Sequence, residues 1–198
     1  MYIILNAMDY SDISYIIITN RPVIKTIESI PTGCEIIISD KLKRGEAHND
    51  GINQASKEWI AIMDDDITFD TTFLDFVISL LNKDRIIGLE GYYPSPFVIA
   101  RFMIFHKSAF DKNGDFETRN HGFETEWCIR AIENGYSIVR IPREGVIHTK
   151  HSKDKPATGE GSNIIWLLRK HPMYPMFILK TVISKIQKSS LDEEYEPK

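Results

Sequence analysis

A chain of 198 residues that is 42% hydrophobic and 26% charged has the composition of one globular domain with a sizeable core. Its formal net charge of −4 argues against wholesale nucleic-acid binding. Two cysteines, Cys34 and Cys128, make neither a disulfide framework nor a zinc site, which fits a reducing, cytoplasmic setting.

The N-terminus MYIILNAMDYSD lacks basic residues before its apolar part and is a poor signal peptide. No apolar run approaches the roughly 20 residues that span a bilayer. Ile13 to Thr19 (ISYIIIT) is a β-branched run that predicts a buried strand. Pro22 is placed as a first helical residue, and Val23, Ile24, Ile27 and Ile30 recur at helical spacing before Pro31-Thr32-Gly33 stops them. Glu35 to Ser39 predicts a second strand, Ala47, Ile52 and Ala55 a short helix, and Trp59 to Met63 a third strand. Three apolar strands with helices between them imply parallel pairing, right-handed crossovers and a sheet covered on both faces.

Phe73, Phe76, Val77, Leu80 and Leu81 mark an amphipathic helix with Asp70 as its cap. Ile86 to Tyr92 and Phe97 to His106 predict strands, and Gly114 a turn. Phe123 to Glu133 predicts a helix closed by Asn134-Gly135, followed by short strands over 136–141 and 145–149. Residues 150–162 are polar and glycine-containing, and predict a mobile loop. The organisation expected is therefore a domain over 1–150, a loop and a basic, apolar helical appendage over 151–188, and an acidic tail over 189–198. Residues 150–188 hold eight Lys/Arg against Asp154 and Glu160, so the remainder of the chain is acidic. Segment 163–188, broken by Pro172 and Pro175, can dock on the domain, form a dimer contact, or lie peripherally on an acidic membrane.

In parallel α/β sheets, ligands bind outside the carboxyl ends of the strands. Thr19-Asn20, Asp40 and Asp64-Asp65-Asp66 all fall at those ends. Carboxylates at i and i+2 where a strand ends can meet one divalent cation, and oxygen ligands suit Mn²⁺ or Mg²⁺. Such a cation also offsets the repulsion within the triplet.

The order of motifs is similar to that of the GT-A glycosyltransferases, in particular the large inverting family numbered 2. The resemblance rests on Ile16 to Arg21, Glu35 to Asp40, Asn49-x-Gly51-Ile52 with Ala55, the strand and Asp-x-Asp of WIAIMDDDI, and Gly114-Asp115-Phe116-Glu117. It continues through Glu124 and Glu126 with Arg130 and Gly135, then Pro142 and Val146-Ile147-His148. It covers residues 13 to 148, about two-thirds of the chain.

The resemblance implies an α/β, Rossmann-like, mostly parallel nucleotide-binding sheet. It implies a metal-dependent hexosyltransferase that moves a sugar from a UDP- or GDP-sugar to a hydroxyl of a glycan, lipid or protein, with inversion. Thr19, Asn20, Arg21, Asp40, Arg44, Asn49, Asp64 and Asp65 would then approach the donor. Asp66, Asp64 and His148 would hold Mn²⁺ or Mg²⁺. Glu124 aligns with the general base. Phe123 stands where the family has another acid, which leaves Glu126 as the alternative. On a helix, i and i+2 face different sides, so Glu124 and Glu126 are not expected in one cleft. Lys150, Lys153 or Lys155 would add charge over the diphosphate when the loop closes. Two rival classes are a nucleotidyltransferase, which calls for a glycine-rich phosphate loop that Asn20-Arg21-Pro22 does not supply, and a non-enzymatic carbohydrate-binding or assembly protein.

Overall fold

The computed structural model describes residues 8–22, 24–90, 97–149 and 160–174. Among them run strands β1 (Ile13–Ile18), β2 (Glu35–Ser39), β3 (Trp59–Asp64), β4 (Ile67–Phe69), β5 (Arg85–Glu90), β6 (Val98–His106), β7 (Ser137–Ile141) and β8 (Val146–His148). The helices are α1 (Arg44–Gln54), α2 (Thr71–Ser79), α3 (Lys107–Asn113), α4 (Phe123–Glu133) and α5 (Glu160–Lys170). Six strands form the main sheet in the order β2-β1-β3-β6-β5-β7, and β4 pairs with β8 beside it. Strands β2, β1, β3, β5 and β7 point one way, and only β6 runs against its neighbours. The mostly parallel α/β sheet expected from the sequence is present.

Alternation along the central strands divides the core in two. Ile16 and Ile18 of β1 join Ile60 and Ile62 of β3 on one face, under α1, α3, α4 and the end of α5. Tyr15 and Ile17 join Ala61 and Met63 on the other, under α2 through Phe73, Leu74 and Val77. Asp70 caps α2 as the sequence predicts, accepting from Phe73 N–H at 2.9 Å.

The first connection differs from expectation. Instead of a helix from Pro22, the described residues after β1 form one 3₁₀ turn, Lys25–Ser29. Ile24, Thr26, Ile27 and Ile30 are β-branched, which disfavours helix, and Pro31 follows closely. Thr26 is also held elsewhere, as described below. With so short a crossover, Ile36 and Ile38 of β2 stay 38% and 49% exposed. Helix α3 and strand β4 were not expected. His106 starts α3 by accepting from Ser108 N–H at 3.2 Å, a capping role outside the usual Ser/Thr/Asp/Asn set.

Two glycines fix how α1 lies. A Cβ at Gly51 would come within 2.3 Å of Ile16 Cγ2, so α1 rests directly on β1. A Cβ at Gly45 would meet the Glu117 carbonyl oxygen at 1.9 Å, and Gly45 N–H donates to the Arg119 carbonyl at 2.9 Å. The segment 116–119 is thereby pinned to the start of α1.

Helix α5 begins at Glu160, inside the stretch expected to be a mobile loop, and ends two residues before Pro172. Its end docks on the domain. Leu167 is buried in the core, Trp166 stacks under Arg119 at 4.3 Å, and Lys170 pairs with Glu117. Lys150, Lys153, Lys155, Pro175 and the tail after it lie outside the described residues. No helix among the described residues is long and apolar enough to cross a membrane.

Candidate active site

The carboxyl ends of β1 and β3 are adjacent because Ile18 is in register with Asp64. That pairing brings Thr19 and Arg21 up to the acidic triplet. Asp65 and Asp66 are both 6% exposed. Thr19 Oγ1 donates to the Asp65 carboxylate and accepts from Arg21 N–H at 2.9 Å. Arg21 Nη1 reaches Asp65 Oδ1 at 3.2 Å and Asp66 Oδ2 at 2.9 Å. On the third acid, Arg44 Nη2 lies 3.6 Å from Asp64 Oδ1.

The small sheet supplies the histidine. Register pairs His148 with Ile67, so its ring falls beside Asp66, with Nε2 3.4 Å from Asp66 Oδ1. Thr149 N–H donates to the Asp66 carbonyl at 2.8 Å and fixes the same juncture. Burial pushes the Asp66 carboxyl up, but the His148 and Arg21 hydrogen bonds outweigh it and hold the group at about 2. Asp64 goes the other way. Desolvation raises its pKa and Asp66 adds to that, with Arg44 opposing.

Beneath the triplet is a residue the sequence reading missed. Thr26 is fully buried, and its hydroxyl lies 2.7 Å from the Asp64 carbonyl and 2.8 Å from the Ile67 carbonyl. The same oxygen accepts from Ile67 N–H at 3.2 Å. The hydroxyl therefore clasps both ends of the Asp64–Ile67 turn. A threonine in an isoleucine-rich stretch carries no sequence signal of this role.

Glu124 and Glu126 occupy the first turn of α4 and diverge as expected. Glu126 has no exposure. It receives Arg130 Nε at 2.8 Å, Arg130 Nη2 at 2.9 Å and Lys170 Nζ at 2.9 Å, with His171 Nε2 at 3.4 Å. Despite burial, Arg130 and Lys170 lower its pKa. Glu124 is half-buried on the other side of the helix. With that of Asp64, its charge helps raise the pKa of Arg44.

No protein-family model matches the sequence, and no curated protein does. Solved structures do match. The mannosyltransferase from Pyrobaculum calidifontis, in complex with GDP-Man and Mn²⁺, superposes with a TM-score of 0.62 at 12% identity, over 86% of this chain and 68% of that one. Glucosyl-3-phosphoglycerate synthase from Mycobacterium tuberculosis, with Mg²⁺ and UDP, gives 0.59 at 12% identity, over 79% and 78%. The catalytic domain of Drosophila β1,4-galactosyltransferase 7 gives 0.52 at 12% identity, over 76% and 78%. The chain has the GT-A glycosyltransferase fold.

In this GT-A chain, the remaining donor-side residues expected from the sequence separate into two groups. Asn20 and Asp40 are exposed at the ends of β1 and β2, and Thr19 N–H donates to the Ser39 carbonyl at 3.1 Å, which keeps those ends together. Asn49 is engaged elsewhere. Its amide donates to the Phe116 carbonyl at 2.8 Å and accepts from Phe116 N–H at 2.8 Å. Asn49 thus braces the 114–119 turn, and Gly51 serves packing on β1.

Among the described residues, no group of three or more His, Cys, Asp or Glu side chains is arranged to hold a metal ion. The donors that come together are one carboxylate, Asp66, and one imidazole, His148. Ions at phosphate-transfer sites take one or two protein carboxylates and leave other positions to phosphate and water, and Mn²⁺ accepts imidazole. An ionised Asp66 beside His148 fits such an ion.

Proposed function

We propose that this protein is a metal-dependent glycosyltransferase that transfers a sugar from a nucleotide-sugar donor to an acceptor hydroxyl. The observation that carries the reading is the juncture of β1, β3 and β8. It gathers Thr19, Arg21, Asp64, Asp65, Asp66 and His148 at the strand ends where α/β sheets bind ligands. The GT-A neighbours crystallised with GDP-Man and Mn²⁺, or with UDP and Mg²⁺, support a UDP- or GDP-sugar and a divalent ion.

Asp66 and His148 would hold the ion, which when bound draws charge from the departing diphosphate. Asn20 and Asp40, exposed at the strand ends, would meet the nucleoside. Arg21 and Arg44 supply positive charge beside the phosphates. Glu124 accepts the proton of the acceptor hydroxyl as that oxygen attacks the anomeric carbon from the face opposite the diphosphate, which inverts the configuration. Glu126 has no exposure and is held by Arg130 and Lys170, whereas Glu124 is half-buried, which favours Glu124 for this work.

The test is a panel of UDP- and GDP-sugars assayed for nucleoside diphosphate release, with and without Mn²⁺. D66N is expected to abolish metal-dependent donor binding while the protein remains folded. Unchanged donor binding and turnover in D66N would refute the metal assignment. Absence of turnover with every donor, where a glycan still binds, would favour a carbohydrate-binding protein.

A further inference from the structure

The charge of the triplet is partly offset by side chains of the chain itself. Arg21 Nη1 bridges Asp65 Oδ1 at 3.2 Å and Asp66 Oδ2 at 2.9 Å. Both carboxylates are nearly buried, whereas the Arg21 side chain is 32% exposed. His148 occupies the other flank, on Asp66 Oδ1. A divalent ion that uses Asp66 must therefore share this carboxylate with a guanidinium, and two cations a few ångströms apart in a poorly solvated pocket repel strongly.

We propose that Arg21 is a built-in competitor for the metal, and that it makes tight metal binding conditional on a diphosphate. The inference rests on the metal-dependent reading above. Without a diphosphate, Arg21 holds Asp65 and Asp66 and the ion binds weakly. With a diphosphate present, the added negative charge gives Arg21 a new acceptor, and the fork geometry of arginine suits phosphate oxygens. Asp66 is then released to the ion. Metal and diphosphate thereby raise each other's affinity by one common factor, as linkage requires. Thr19 sets the pivot, because its hydroxyl accepts from Arg21 N–H and holds Asp65. Asp65 accordingly acts as the resting place of the Arg21 side chain.

The test uses the full chain and MnCl₂ alone, with bound Mn²⁺ read by electron paramagnetic resonance. R21Q, which removes the charge, is expected to bind Mn²⁺ about tenfold tighter than wild type, within the usual range of coupling between linked sites. R21K keeps a cation and is expected to bind as weakly as wild type. A second titration, of UDP and GDP at fixed Mn²⁺, is expected to show weaker nucleotide binding in R21Q. R21M repeats both measurements if R21Q melts early. Equal or weaker Mn²⁺ binding in R21Q, with D66N still abolishing it, would overturn the competitor role alone. No Mn²⁺ binding in wild type and R21Q, with or without nucleotide, would overturn the metal reading and this inference together.

Discussion

Replacing Glu126 by glutamine, alongside the same change at Glu124, separates a structural acid from a catalytic one two residues away. Glu126 is fully buried and accepts from Arg130 and Lys170. Removing one member of a buried ion pair costs about 3–5 kcal/mol because it strands the partners. Arg130 and Lys170 retain 21% and 33% exposure, so water relieves part of that penalty. An expected loss of about 2–3 kcal/mol remains, which for a domain of this size is about 5–10 °C in Tm. The effect should spread to α5 and to 114–119, since Lys170 also pairs with Glu117 and Arg130 Nη2 donates to the Asp115 carbonyl at 2.6 Å. Urea denaturation and calorimetry measure the loss. Turnover per folded molecule measures the chemistry. E126Q should be markedly less stable, with turnover per folded molecule close to wild type. E124Q should lose much less stability than E126Q and about 10²- to 10⁴-fold in kcat. If E126Q is as stable as wild type and inactive while E124Q turns over normally, the division of roles is reversed and the argument fails.

Thr26→Val keeps the shape but removes the clasp on the Asp64–Ile67 turn, leaving Ile67 N–H without that acceptor. About 2 kcal/mol of stability should be lost, with weaker Mn²⁺ binding by titration. A change under about 0.5 kcal/mol would refute the clasp. Gly51→Ala drives a methyl to within 2.3 Å of Ile16 Cγ2 and should cost about 1–3 kcal/mol by chemical denaturation, with no direct effect on the triplet. His48 is buried against Phe116 and Phe123, and desolvation depresses its pKa from 6.5 to about 4, the Arg44 carbonyl bond opposing. Because the unfolded chain binds this proton more readily, stability is full above about pH 6.5 and falls as pH drops toward 4, by about 3 kcal/mol in total. An NMR titration of the ring, with its midpoint near 6.5, would refute that.

The parts of the fold legible in the sequence were those whose pattern has one physical solution. A run such as Ile13 to Thr19 has no polar face, so only a strand covered on both sides can hold it. Asp70 before Thr71 and Gly135 after Asn134 marked helix ends by local hydrogen bonding and positive φ, and the structure has both. What escaped depends on contacts distant in sequence. Strand β4 is three residues long and exists by pairing with β8, some 80 positions later. Asn49 and Gly51 read as one motif, yet Asn49 answers to Phe116 and Gly51 to Ile16. The position of the acidic triplet at strand ends followed from topology. Its partners did not, because Thr19 and Arg21 meet Asp65 only once β1 and β3 are in register.

The opposed pKa directions within the triplet then say what three adjacent acids can do that one cannot. Asp66 is drawn well below the ordinary carboxylate range by two close donors, so it stays ionised across any physiological pH. Asp64, two residues away, is raised by desolvation and by Asp66 itself, and Arg44 at 3.6 Å does not reverse it. Neighbouring carboxyls whose environments push them apart are suited to different tasks. Asp66 keeps the fixed negative charge that a cation needs. Asp64, whose pKa burial raises, is the less suited of the two to carry a fixed charge. Asp65, held by Thr19 and Arg21, ties the triplet to the end of β1. The mutual repulsion of the three is thus relieved by dividing them among Arg44, Arg21 with Thr19, and His148. Each of those partners comes from a different element of the fold, so the triplet can be assembled only in the folded chain.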